Sequence, residues 1–297
     1  MSDPTTPRRP VTRLLAPSPR WSGHVRAYVV RDTRGCDQSP AARQNRFPAS
    51  PYCTLTWFLE GGATLLSCGG QAVRVELDGC VAAGCQTTPF ASENRGETHA
   101  FLAAFHADAF HAVFGVDLSR LQDRFVPAGQ VLPPHALAMV AAVAAAAADE
   151  QRRAIIESFL AEHAPPAPSG PWYSLRRLGD RITLAVASAM IGVGPRQLQR
   201  LAPRQAGASL QTLLRLWRGE RSFLRAQRLL SEGRRLDLAD HAIAAGYADQ
   251  AHLTRETRTN TGRTPAQLVR EAATEEADWI YRIDFNSHED TPPSRSA

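Results

Sequence analysis

Residues 236–268 read LDLADHAIAAGYADQAHLTRETRTNTGRTPAQL, and the stretch parses as a short helix, a tight turn, a second helix and a stop. Ala239, Ala242, Ile243 and Ala244 give the first segment a compact apolar side. Gly246 stands where the turn needs a positive φ, which glycine enters without steric cost. Asp249 follows as an N-cap whose carboxylate can accept from the first free N–H groups. Leu253 anchors a second helix whose other positions, Gln250, His252, Thr254, Arg255 and Arg258, are polar or cationic. Gly262-x-Thr264-Pro265 closes it. A long polar face held out after a tight turn suits a major groove; an ordinary helical hairpin with a solvated face is the plain alternative.

The same arrangement occurs earlier in the chain. Gly192, Leu198-x-Arg200 and Gly207-x-Ser209 match Gly246, Leu253-x-Arg255 and Gly262-x-Thr264. In both copies Arg follows Leu by two residues and Gly follows Arg by seven, with one extra residue in the second turn. Pro195 opens the earlier helix, a position proline favours, and Arg196, Gln199 and Arg200 share one of its faces. Between the copies a long helix is expected from Leu210 to Ser231, capped by Ser209. At 1.5 Å per residue it spans roughly 33 Å, close to the ~34 Å between successive major grooves on one duplex face. Gly219 inside it weakens that helix by about 1 kcal/mol relative to alanine.

Charge is distributed to match. All 34 cationic residues are arginine. Residues 1–165 carry 15 Arg and 15 acids, residues 172–270 carry 17 Arg and 7 acids (net +10), and residues 271–297 carry 2 Arg and 7 acids (net −5). A neutral front, a basic block and an acidic tail point to a polyanion as the partner of the block. No apolar run approaches the ~18 residues of a membrane span, and the polar, Pro-rich start lacks a secretory h-region. Five cysteines without C-x-x-C spacing argue against a disulfide framework or a structural zinc site. A reduced, cytoplasmic protein is expected, with no cofactor and no metal.

The chain of 297 residues is long enough for two domains. The expected organisation is a disordered stretch at 1–20, a β-rich domain at 21–163, an Ala/Pro-rich linker at 164–171, an all-α DNA-binding domain at 172–285 and a flexible acidic tail at 286–297. Short β-prone runs at 24–30, 52–59, 71–77, 80–83 and 99–106, separated by Gly, Pro, Asn and Ser, suit a small cupin-like barrel or sandwich. Thr54, Thr56 and Phe58 alternate with Leu55, Trp57 and Leu59, so one face can line a core or pocket. Helices are expected over 108–121 and, as one or two long ones, over 133–163. The fold class is thus α+β, multidomain.

The stretch from Ala245 to Arg258 (AGYADQAHLTRETR), continued by Thr261 to Leu268 (TGRTPAQL), resembles the AraC/XylS-type bacterial transcription regulators, with weaker support from 192–209. The resemblance covers about 180–285, and the front half looks like the β-rich domain often found ahead of such regulators. It implies a non-enzymatic activator or repressor with two helix-turn-helix units on promoter DNA. RNA polymerase, a small-molecule effector and a second copy of the chain are further partners it admits without naming any. Groove-facing positions match Arg196, Gln199 and Arg200 in the first unit and Gln250, Ala251, Thr254 and Arg255 in the second. Arginine pairs bidentately with guanine and glutamine with adenine. Arg204, Arg218, Arg258 and Arg263 fall to phosphates, and His252 lies near the groove. Departures weaken the first unit: Gly194 replaces its usual serine cap, and Pro203 shortens or ends its helix. Ala202 and Thr257 stand where a buried aromatic is usual.

Other readings stay open. A metal enzyme in the front domain has His24, His99, His106, His111 and Glu97 as its candidate ligands, without a His-x-His pair. A thiol sensor has Cys53, Cys68, Cys80 and Cys85, although buried, inert cysteine is commoner. A factor that binds DNA without sequence preference would show a steep salt dependence and little promoter preference. Trp279, Ile280 and Tyr281 are expected to pack back on the basic block.

Overall fold

The computed structural model describes residues 8–165, 171–178, 184–272 and 274–283. Most of the expected linker, residues 1–7 and the tail from 284 onward lie outside these. Ten strands form the front half: β1 (Val11–Leu15), β2 (Val25–Asp32), β3 (Gln44–Phe47), β4 (Tyr52–Glu60), β5 (Ala63–Cys68), β6 (Gln71–Leu77), β7 (Cys80–Ala83), β8 (Phe90–Asn94), β9 (His99–His106) and β10 (Phe125–Pro127). They make two antiparallel sheets, ordered β1-β2-β9-β4-β7-β10 and β3-β8-β5-β6.

Alternation along the larger sheet does two jobs. Leu55 and Trp57 of β4 pair across to Ala103 and Phe101 of β9. Together with Tyr28, Val30, Cys53 and Phe105 they bury against helices α1 (Ala107–Phe114), α2 (Pro134–Ala145) and α3 (Asp149–His163). Trp57 satisfies its indole by donating to the Val140 carbonyl at 3.0 Å. The opposite pleat, Thr54, Thr56, Phe58, Ala100 and Leu102, faces a cavity between the sheets. Because side chains alternate with a period of two, one sheet provides both a packed core and a pocket wall.

Two expectations change here, and a third is narrowed. Residues 11–15, expected without structure, form β1 and pair with β2 from Val11↔Asp32 to Leu15↔Tyr28. VTRLL has strand propensity of its own, and Arg13 is fastened to the buried Asp149. The helix expected to Leu121 stops at Phe114, where Gly115 takes φ 67°, and a 3₁₀ turn follows at Leu118–Arg120. The Ala-rich region is two helices, because the chain turns extended at Ala146–Ala148.

The remaining helices are α4 (Pro171–Leu178), α5 (Leu184–Ile191), α6 (Pro195–Ala206), α7 (Leu210–Ser231), α8 (Leu238–Ala244), α9 (Gln250–Thr261) and α10 (Pro265–Ala272), followed by a 3₁₀ segment, Glu276–Arg282. None of the described helices is long and apolar enough to cross a membrane. The segment Glu276–Arg282 packs against β3. Trp279 and Ile283 bury with Val29 of β2, and the Trp279 indole donates to Asn45 Oδ1 at 2.8 Å. Tyr281 instead meets Phe223 of α7. The aromatic tail therefore bridges the two halves rather than folding onto the basic block alone.

Trp57→Ala is expected to cost about 3–5 kcal/mol, since a fully buried indole leaves a cavity and Val140 loses its donor; chemical denaturation measures it.

Candidate nucleic-acid interface

Two helix-turn-helix units follow from the sequence repeat. Gly192, Gly207, Gly246 and Gly262, the glycines that mark the repeat, have φ of 73°, 85°, 83° and 75°. Each ends a helix in the left-handed region, which a side chain would strain. In the second unit Asp249 Oδ1 accepts from the His252 N–H at 2.6 Å. In the first, Gly194 gives α6 no side-chain cap. The helix nevertheless runs through Pro203 to Ala206 and has 12 residues, as many as α9. The proline does not shorten it. The carbonyl that loses a donor there belongs to Gln199, on the exposed face, where water can take the bond.

The two helices present comparable faces. Leu198, Ala202 and Ala206 bury one side of α6, leaving Arg196, Gln199 and Arg200 exposed. Leu253 and Asn260 bury one side of α9, leaving Gln250, Ala251, Arg255 and Arg258 exposed and Thr254 half-buried. His252 is half-buried: its Nδ1 accepts from the Ala248 N–H, its Nε2 lies 3.3 Å from Glu256, and its ring meets Tyr247 edge-on. It holds the turn together. The helix between the units, α7, spans Leu210 to Ser231 with Ser209 accepting from the Thr212 N–H, as read from the sequence.

Three of the four arginines assigned to phosphates are occupied otherwise. Arg218 makes a two-pronged pair with Glu256 of α9 (2.7 and 3.1 Å) and lies over the Tyr247 ring. Arg263 grips Asp278, whose side chain has no exposed surface, at 2.5 and 2.7 Å. Burial works against the Arg263 charge, but its bonds to Asp278 and Tyr281 outweigh that and raise its pKa. Arg204 reaches Asp117 of the front half at 3.1 Å. Net charge counts on a sequence cannot separate such internal pairs from free cations. Arg258 stays exposed at the outer face of α9.

The front half touches this domain at several places that sequence reasoning missed. Glu220 of α7 accepts from the Tyr52 hydroxyl and from Arg26; burial pushes the Tyr52 phenol well up, so it remains the donor. The Ala49 N–H donates to the Asn260 carbonyl at 2.7 Å, and Arg31 pairs with Glu276. The only signal for these contacts was acids placed inside a basic block.

Burial raises the thiol pKa of Cys53, Cys68, Cys80 and Cys85, Cys68 to about 11 and Cys80 to about 12. Such thiols are poor nucleophiles. Burial likewise lowers the pKa of His24, His99 and His106. Among the described residues no three His, Cys, Asp or Glu side chains gather into a metal-binding group.

Arg258→Ala is expected to reduce the slope of log affinity against log salt by about 1, whereas Arg218→Ala leaves it unchanged. Arg263→Ala abandons a buried carboxylate and should cost about 3–5 kcal/mol of folding stability. Salt titrations of DNA binding and denaturant melts separate the two effects.

Known proteins place this geometry. Residues 187–271 match the family described as "Helix-turn-helix domain". No curated protein matches the chain in sequence. Among solved structures, apo ToxT from Vibrio cholerae is 8% identical, with 82% of this chain and 96% of that one covered and a TM-score of 0.46. The AraC-like transcriptional activator CuxR is 11% identical, with 75% and 86% covered and a TM-score of 0.23. An RmlC-like cupin protein from Desulfovibrio desulfuricans is 14% identical over 33% of this chain and 82% of that one, with a TM-score of 0.23. Residues 187–271 are thus a helix-turn-helix domain, and it follows a β-rich front half.

Proposed function

We propose that the protein is a sequence-specific transcription regulator that sets α6 and α9 into successive major grooves of promoter DNA. The observation that carries this reading is the pair of helices with matching exposed faces, one on each side of the 22-residue α7. Roughly 33 Å of helix against ~34 Å of groove repeat lets one chain address both. In this reading Arg196, Gln199 and Arg200 of the first unit and Gln250, Ala251, Thr254 and Arg255 of the second contact base edges. Arg258 contributes salt-dependent phosphate affinity. Asp249 and Ser209 fix the helix starts and touch no base.

The front half supplies control. Its ion pairs to α6 and α7 and its backbone bond to α9 make the placement of both reading helices depend on it. The cavity between its sheets opens onto the DNA-binding half, which supports ligand sensing ahead of dimerisation as its role. A regulator of this kind works in the bacterial cytoplasm, where its promoter is.

Arg255→Ala should weaken binding to a fragment selected from the encoding genome by about 1–3 kcal/mol, with relaxed preference at one base position. Fluorescence anisotropy at fixed salt measures it, and unchanged affinity would remove Arg255 from the reading face. Equal affinity for selected and scrambled DNA would instead establish non-specific binding.

A further inference from the structure

The second half of α7 has three sides, and two of them are taken. Glu220, Phe223 and Gln227 face the front half and the C-terminal segment. Glu220 accepts from Tyr52, Phe223 meets Tyr281, and Gln227 donates to the Tyr281 and Ile283 carbonyls at 2.9 and 3.0 Å. Arg218, Gly219 and Ser222 hold the second unit, against Glu256, Asn260 and His241. The third side carries Arg221, Arg225 and Arg228, all exposed. Spaced at i, i+4 and i+7, they form one stripe. Arg234 and Arg235 follow in the exposed turn between α7 and α8.

This stripe keeps its charge. Among the described residues Arg225, Arg228 and Arg235 form no ion pair, and Arg234 reaches only Glu232, at 3.6 Å. Arg204, Arg218 and Arg263 differ in this respect, since the fold has already matched them with acids. Like charges one turn apart on a helix repel each other. The stripe therefore concentrates positive potential on one exposed side, which a polyanion relieves.

Its position points to the backbone of a duplex. In a helix-turn-helix the first helix crosses the DNA backbone while the second enters the groove, and α8 is the first helix of the second unit. Arg225 stands beside it: burial first, and then the Arg225 charge, lower the pKa of His241 on α8. Arg235 lies in the turn that leads into the same helix. A duplex read by α9 brings its sugar–phosphate strand across α8, and the stripe lies alongside.

We propose that Arg225, Arg228 and Arg235 bind backbone phosphates on the flank of the groove read by α9, a contact surface separate from both reading helices. The proposal rests on duplex DNA being the partner in the function given above, and it adds a third point of attachment. That attachment carries affinity and orientation without sequence information. It supplies the phosphate contacts that Arg204, Arg218 and Arg263 do not make while paired.

The test compares the full-length wild type with a triple variant, Arg225→Gln, Arg228→Gln and Arg235→Gln, by fluorescence anisotropy over a salt series. Two duplexes are used, a fragment selected from the encoding genome and its scrambled counterpart. The slope of log affinity against log salt is expected to fall in magnitude by about 2–3 on both duplexes, at ~0.9 per phosphate. Preference for the selected fragment should be unchanged. A control triple variant, Arg74→Gln, Arg120→Gln and Arg124→Gln, removes the same charge from exposed positions of the front half and should leave the slope as it is. The wild type gives a second readout: ethylating phosphates beside the second groove should block its binding. An unchanged slope in the first variant, an equal fall in both, or no block beside the groove overturns the assignment and leaves sequence reading intact. Equal wild-type affinity for the two duplexes removes sequence reading instead, while the slopes still judge the stripe. If the wild type binds neither duplex, both fail.

Discussion

A carboxylate without exposed surface, Asp278, is held between an arginine of the DNA-binding half and an arginine of the smaller sheet. A buried ion cannot stay in place without partners, so the segment carrying it is bound to both at once. Arg263 follows α9 directly and Arg46 lies on β3, so the end of α9, the C-terminal segment and the sheet edge behave as one attachment. Trp279 and Tyr281, neighbours of Asp278, complete it by turning opposite ways, one to β2 and one to α7. Neither half of the molecule presents this surface by itself.

Much of the helical half was legible because its signals are local. Glycine spacing, Asp249 as a cap, and a polar face behind Leu198 and Leu253 all act within a few residues, and the helix from 210 to 231 has the bounds read from the sequence. The front half was legible wherever alternation was strong, as in β4, β7 and β9. It was missed at β3, β5 and β8, where Asn45, Ser67 or Asn94 interrupt the apolar pattern. Those strands border the cavity, and polar residues are tolerated there because they bond one another across β3 and β8. The ion pairs of the arginines were hidden for a related reason. Arg218 and Arg263 look like surface cations until the acids that meet them, Glu256 and Asp278, are brought in by folding.

The apparent defects of the sequence gather at contacts between elements. Ala202, standing where an aromatic is usual, is fully buried in the core that α6 shares with α4, α5 and α7. At the end of the same helix a Cβ on Gly207 would lie 3.0 Å from that of Cys85. Thr257, the matching departure in α9, lines the cavity instead. The two departures thus sit in different surroundings, the first in a packed helical core and the second on the cavity wall.

Under the proposed function, that difference sets how control would reach DNA. The cavity touches α9 and the C-terminal segment but no residue of α6, so an occupant acts on the second unit while the first stays fixed to the front half. Binding by two linked helices depends steeply on whether both reach their grooves together, so a shift of α9 alone is sufficient. An occupant can change that equilibrium only by binding one placement of α9 better than another. A hundredfold change in DNA affinity needs about 2.8 kcal/mol of such preference. A single hydrogen bond supplies about 1 kcal/mol of it. The remainder corresponds to roughly 70 Å² of apolar surface covered in only one placement, so apolar contact with α9 would have to carry most of such a switch.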